Sequence, residues 1–161
     1  MDRTVAIAIG SNVGDRRAAI EFAFARLSRL LSDIRLSDAV ETDPVGPSGD
    51  ILPDQPLYLN AAVTGSTTLD APSLLEALHD IEHDFGRERP SPGAPRTLDL
   101  DLILFGDEVI VEPELQVPHP RFRERFFVLG PIAEIAPAMR DPVTGRSVGE
   151  LLARLLRDES R

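Results

Sequence analysis

With 161 residues, a net charge of −10 and no cysteine, the chain is long enough for one domain that buries roughly two thirds of its unfolded surface, and it offers no disulfide, thiolate metal site or cysteine nucleophile. The acidic balance argues against general nucleic-acid or anionic-membrane binding, both of which use a basic surface. The first apolar run, Thr4 to Ile9, meets Gly10-Ser-Asn at once and is too short for a spanning helix or signal peptide, so a cytoplasmic, monomeric single domain over 1–161 is expected.

The positive charge is unevenly spread. All 17 basic residues are arginine, none falls between Arg35 and Arg87, and six lie from Arg87 to Arg125. Arginine presents a fixed fork of donors suited to phosphate oxygens.

Taken in chain order, Thr4 to Ile9 reads as a buried strand and Gly10 to Asp15 as a turn into a helix from about Arg16 to Leu31. That helix places Ile20, Phe24, Leu27 and Leu31 on one face. The turn lacks the glycine spacing of dinucleotide loops and the lysine of Walker loops, so helix-start geometry is its expected task. Ile34 to Glu41 reads as a second strand. Thr42 to Pro56 is a long loop of the kind that often carries function.

Leu57 to Thr67 reads as a third strand, and a helix from near Pro72 to Phe85 follows, with Gly86 as its expected C-terminal cap. After a loop rich in Pro, Gly and Arg comes a fourth strand, then a short strand at Glu108 to Val111. Helices follow over Phe126 to Ile135 and Val148 to Arg157, the last expected to pack on the sheet. The order strand, helix, strand, strand, helix, strand predicts an α+β fold, a ferredoxin-like sandwich with extra C-terminal helices. One sheet face would carry helices, leaving loops and the opposite face for ligands.

The fourth strand, within Arg96-Thr-Leu-Asp-Leu-Asp-Leu-Ile103, has the most informative pattern. A period of two puts Asp99 and Asp101 on one face, about 6–7 Å apart along the chain, with Leu98, Leu100 and Leu102 on the other. Their repulsion needs a cation or water to offset it. A wet strand face and a metal site both satisfy the pattern. The arginines on the preceding loop, Arg87, Arg89 and Arg96, suit a metal–phosphate complex.

Four segments in order, Ile9-Gly-Ser-Asn12, Thr42-Asp-Pro-Val-Gly-Pro47, Gln55-Pro-Leu-Tyr-Leu-Asn-Ala-Ala62 and Gly93-Ala-Pro-Arg-Thr-Leu-Asp-Leu-Asp101, closely resemble the 6-hydroxymethyl-7,8-dihydropterin pyrophosphokinase family. Val117-Pro-His-Pro120 and Arg125-Phe-Phe127 extend the resemblance over nearly the whole chain. It implies transfer of pyrophosphate from ATP to the hydroxymethyl group of a reduced pterin in folate biosynthesis, with AMP released. It further implies that Asp99 and Asp101 bind two Mg²⁺ ions bridging the ATP phosphates. Arg87 and Arg96 would act in catalysis, Glu82, Arg89, Arg96, His119 and Arg125 would contact ATP, and His79 would border the nucleoside. Thr42, Val45, Tyr58, Asn60 and Phe127 would form the pterin pocket, the aromatics flanking the bicycle and Asn60 reading its edge.

The chain departs from the family pattern at Gly93, where tryptophan is common, at Pro120, where an aromatic is common, and at Glu114, where a basic residue often helps with phosphates. The loop from Thr42 is also longer than in the shortest members. No residue stands out as a general base. Two other classes compete: a non-catalytic ferredoxin-like regulatory module, which needs no arginines beside paired aspartates, and another metal-dependent phosphoryl or glycosyl transferase, which needs no Tyr58/Asn60 pocket.

Overall fold

The computed structural model describes residues 2–12, 14–42, 57–87 and 98–159. Within them an antiparallel sheet is built from β1 (Arg3–Ser11), β2 (Ser32–Leu36), β3 (Val40–Thr42), β4 (Tyr58–Thr67) and β5 (Asp99–Phe105), with helices α1 (Arg16–Leu27) and α2 (Ala71–Arg87) between strands. The order is β2-β4-β1-β5, with β3 continuing beside β4. Counting β2 and β3 as one broken strand, this is the ferredoxin-like arrangement. A small hairpin of β6 (Ile110–Val111) and β7 (Gln116–Val117), a 3-10 turn (Phe122–Glu124), α3 (Phe126–Ile135) and α4 (Val148–Glu159) complete the chain.

The central strands β1 and β4 are buried on both faces, as their near-continuous apolar and small residues require. Val5, Ile7 and Ile9 join Leu59, Ala61 and Val63 on the face covered by α1 and α2. Ala6, Ala62 and Ile103 face the other way, onto Phe122, Val128, Leu129, Ile132, Val148 and Leu151. A bulge in β5 places both Ile103 and Leu104 in that second core.

Both faces of the sheet therefore carry helices, unlike the half-open sheet expected. On the second face α3 lies against β4 and β3, and Asn60, Gly10 and Asp99 form a row at the β3 end of that face. Helix α4 packs mainly on α3 and the 3-10 turn, and its Val148 and Leu151 join the second core beneath the sheet. The predicted second strand is broken at Ser37, whose amide donates to Ala62 O while its hydroxyl takes the Ala62 amide at 2.8 Å; Asp33, with φ of 51°, marks a separate irregularity near the start of β2. Helix α1 ends at Leu27, short of Leu31, because the next amides of Arg29 and Leu30 bond three residues back in tight turns.

Asp70 caps α2 by accepting from the Ser73 amide at 2.8 Å, and Pro72 sits in the first turn, where its missing N–H costs nothing. Gly86 does not cap the far end. It lies inside α2, which runs on to Arg87, and it is not among the glycines of positive φ. The predicted strand from Glu108 begins only at Ile110, since Glu108 closes a turn onto Phe105 O and its carboxylate pairs with Arg3. Its partner β7 was unpredicted: Val117 and Gln116 sit among prolines that hide the alternation. Among the described residues no helix is long and apolar enough to cross a membrane.

Candidate active site

Sheet register brings the pterin-side and metal-side residues together. Val40, Asn60, Gly10 and Asp99 stand opposite one another in a single row across four strands, and Ala62, Ala8 and Asp101 form the next. Because side chains alternate, Asn60, Gly10, Asp99 and Asp101 share one face. Asp99 is half-buried and Asp101 exposed, whereas Leu98, Leu100 and Leu102 are buried beneath α1 and α2, so the amphipathic pattern read in the sequence is the one adopted.

Gly10 brings the backbone of β1 close to the side chains of Asn60 and Tyr58. A Cβ there would stand 3.6 Å from Asn60 Oδ1 and 3.7 Å from Tyr58 Cδ1. The Asn60 amide donates to the Thr42 hydroxyl at 2.6 Å and to Val40 O at 3.4 Å, which fixes which end of the amide carries the donors and turns Oδ1 toward Gly10. Burial pushes the Tyr58 phenol above its ordinary pKa, and the negative charge of Asp99 pushes it the same way. The phenol thus stays protonated, and the two predicted subsites are electrostatically in touch.

His119 and Arg125 enter from the segment before α3. Arg125 is the N-cap residue of that helix, and its guanidinium carbon lies 5.7 Å from the centre of the Phe127 ring. His119 Nδ1 accepts the Arg121 amide at 3.2 Å, so the neutral ring carries its proton on Nε2, a donor available to a phosphate oxygen. Burial lowers the His119 pKa, against the pull of Asp101 and with the help of Arg125 and Arg121. The imidazole is therefore held neutral.

A cleft of about 360 Å³ runs along the outer edge of β5, bounded by Asp99, Asp101, His119, Glu82, His79 and Glu114. Glu82 has a second task there: its carboxylate accepts the Leu100 amide at 2.8 Å, bonding the edge strand between the two aspartates. A larger cleft of about 1060 Å³ lies at the other end of the sheet around Arg3, Arg35 and Met139, remote from these residues. Its Arg3 is already paired with Glu108.

The structure thus gathers Thr42, Tyr58, Asn60, Asp99, Asp101, His119 and Arg125 at one end of the sheet, with Phe127 beside Arg125 and Glu82 in the cleft wall. Val45, Arg89, Arg96 and Gly93 lie outside the described residues, and Arg87 is described only as the last residue of α2. Gly10 escaped the sequence reading, which placed it in a turn; the strand runs on to Ser11, and a glycine directly after the apolar run Val5–Ile9 was the available signal. The Leu100 and Arg121 amides left no signal, being backbone groups.

Two carboxylates supply hard oxygen ligands, and no group of three or more His, Cys, Asp or Glu gathers among the described residues. That donor set fits Mg²⁺, which binds through one or two carboxylates and completes its shell with water and substrate phosphate.

Comparison with known proteins decides the family. Residues 6–137 match the 7,8-dihydro-6-hydroxymethylpterin-pyrophosphokinase (HPPK) family. The chain belongs to that family. A 2-amino-4-hydroxy-6-hydroxymethyldihydropteridine pyrophosphokinase of Bacillus subtilis is 39% identical over 162 residues, covering 99% of this chain and 94% of that protein. The Pseudomonas aeruginosa protein of the same name is 40% identical over 155 residues, 95% of this chain and 92% of that one. A folate synthesis bifunctional protein of Arabidopsis thaliana is 40% identical over 133 residues, 81% of this chain and 26% of that protein.

Among solved structures, wild-type Plasmodium falciparum HPPK-DHPS aligns with a TM-score of 0.75 at 13% identity, covering 98% of this chain. This chain spans 45% of that one, and at such identity the likeness establishes the fold.

Proposed function

We propose that this chain transfers the pyrophosphoryl group of ATP to the hydroxymethyl oxygen of 6-hydroxymethyl-7,8-dihydropterin, releasing AMP, as a step in folate synthesis. The observation that carries the reading is the single row in which Asn60, Gly10 and Asp99 face the same way. It sets an amide-and-aromatic pocket beside a carboxylate pair. A flat heterocycle on one side and a metal-bound phosphate chain on the other would then meet where the two subsites join.

In this reading Asp99 and Asp101 would hold two Mg²⁺ ions. Bound there, the ions supply charge neutralisation and orientation of the phosphates. Asn60, fixed by Thr42, reads the edge of the pterin, while Tyr58 and Phe127 flank its ring and the segment around Val45 completes the pocket. His119 donates from Nε2 to a phosphate oxygen, and Arg125 places a guanidinium against phosphate charge. Arg89 contacts ATP, Glu82 and His79 border the nucleoside, and Arg87 and Arg96 act on the transferring group.

The reaction itself is an in-line displacement at the β phosphorus. The pterin oxygen forms the new P–O bond, the bond to the bridging oxygen of AMP breaks, and the hydroxyl proton is lost. Positioning and electrostatics do the work. The enzyme acts as a cytoplasmic monomer on these small molecules, and its charge of −10 supports the absence of nucleic-acid or membrane partners.

The test is incubation of purified protein with Mg²⁺, ATP and the pterin alcohol, followed by chromatographic separation of nucleotides and pterins. AMP and the pterin diphosphate are expected in equal amounts. ADP as product, or no pterin-dependent turnover, contradicts the reading.

A further inference from the structure

Asp141, in the connection between α3 and α4, is completely buried at 0% exposure. A carboxylate so placed needs every lone pair filled. Oδ2 accepts from Arg123 Nε at 2.6 Å and from the Thr144 hydroxyl at 2.7 Å; Oδ1 accepts from Arg123 Nη2 at 2.8 Å and from the Val143 amide at 3.0 Å. The Asp141 main chain closes the same loop, donating to Arg146 O and accepting from Gly145 N. The two-pronged bond fixes the plane of the Arg123 guanidinium, whose carbon stands 4.8 Å from the centre of the buried Phe122 ring.

Arg123 is the middle residue of the 3-10 turn, four residues after His119 and two before Arg125. Main-chain bonds make this stretch one piece: the Phe122 amide donates to His119 O, Glu124 to Arg121 O and Arg125 to Phe122 O. One end is tied to the aspartate strand, where the His119 amide donates to Ile103 O at 3.0 Å. The other end starts α3, with Arg125 O accepting from the Val128 and Leu129 amides. Between these anchors, the side chains of Arg123 and Phe122 fix the turn against the second core.

We propose that the pairing of the buried Asp141 with the partly exposed Arg123 is a positioning device for the nucleotide site, setting the 119–125 segment that carries the His119 imidazole and the Arg125 guanidinium. It rests on the reading of His119 and Arg125 as phosphate contacts. A buried ion pair adds little net stability over an apolar replacement, but it fixes one geometry among several. The geometry fixed here belongs to the segment that carries His119 into the cleft beside Asp101.

The test compares the parent with Arg123→Met, Asp141→Asn, the double variant and Arg125→Ala, measuring calorimetric affinity for Mg²⁺ with α,β-methylene-ATP and KM for each substrate. Arg123→Met keeps a stem against Phe122 without the fork. Each single variant of the pair is expected to weaken nucleotide binding about ten-fold, the scale on which supporting partners of ligand contacts act, while the pterin KM at saturating ATP changes by less than about two-fold. The double variant is expected to be no weaker than the worse single variant, since the two side chains act as a unit.

Should Asp141→Asn not fold, Arg123→Lys, which keeps the charge and loses the fork, carries the same expectation. Parental nucleotide affinity in folded Arg123→Met or Arg123→Lys overturns the proposal, as does an equal loss for both substrates. Weakened binding in Arg125→Ala alone overturns the positioning role while keeping the phosphate contact. Parental affinity in Arg125→Ala overturns the reading beneath it.

Discussion

The carboxylate of Glu82 accepts the Leu100 amide at 2.8 Å, and Leu100 lies between the two aspartates on the outer edge of the sheet. The bond fixes an edge strand that has a neighbour on one side only, and so fixes where Asp99 and Asp101 point. Glu82→Ala is expected to lower stability by about 1–2 kcal/mol, the range for a backbone donor losing a charged acceptor at a partly exposed site. It should also weaken Mg²⁺-dependent nucleotide binding. Thermal unfolding and a Mg²⁺ titration of turnover check both effects; Glu82→Gln, which keeps an acceptor, should recover most of each.

Replacing either aspartate separates function from stability. Asp99→Asn or Asp101→Asn is expected to reduce turnover by about a hundred-fold or more, through lost stabilisation of phosphate charge. The metal-free Asp101→Asn variant should melt no lower than the parent, because a like-charge repulsion on one exposed strand face has been removed. Steady-state kinetics and a melt in chelator measure the two halves of this prediction.

Gly10→Ala tests the pocket floor. A methyl there meets Asn60 Oδ1 and Tyr58 Cδ1 at ordinary van der Waals distances, so the free protein should keep its stability. The pterin KM is expected to rise about ten-fold, because the methyl fills space between the amide and the ring. The ATP KM should stay at its parental value.

His119→Gln and His119→Asn differ in which imidazole nitrogen they mimic. Gln carries its amide nitrogen near the Nε2 position, and Asn carries its oxygen near Nδ1, where the Arg121 amide donates. If Nε2–H is the functional group, Gln retains more affinity for ATP than Asn, read by titration with Mg²⁺ and the methylene analogue.

Acid sensitivity should trace to Asp141. Burial raises its carboxyl pKa, but the hydrogen bonds from Arg123, Thr144 and the Val143 amide, with the Arg123 charge, outweigh burial and hold it below the ordinary carboxylate value. A folded-state pKa lower than the unfolded one means a contribution fully present above the unfolded value, near 4, and lost as pH falls through the lowered value. Denaturant unfolding of the parent and Asp141→Asn should show a stability gap that is constant from about pH 7 to 5 and narrows below about pH 4.

The strands and helices were legible by different signals: near-continuous apolar runs for β1 and β4, alternation for the strand of Asp99 and Asp101, and helix-length apolar segments for the helices. What escaped depended on single polar atoms. Ser37 breaks a strand whose side-chain pattern is continuous, and Asp33 adopts positive φ without a glycine to announce it. The carboxylate pair and the Tyr58/Asn60 face were readable from spacing of two. Gly10 was misread as turn because glycine signals both a turn and a close approach, and only the register with Asn60 and Asp99 distinguishes them.

The central claim is transfer of two phosphorus atoms together, and ATP labelled at the β phosphorus tests it most directly. Incubated with Mg²⁺, the pterin alcohol and this protein, the label is expected to move into the pterin product and to leave AMP unlabelled. Label retained in ADP, with a pterin monophosphate as product, would contradict the account.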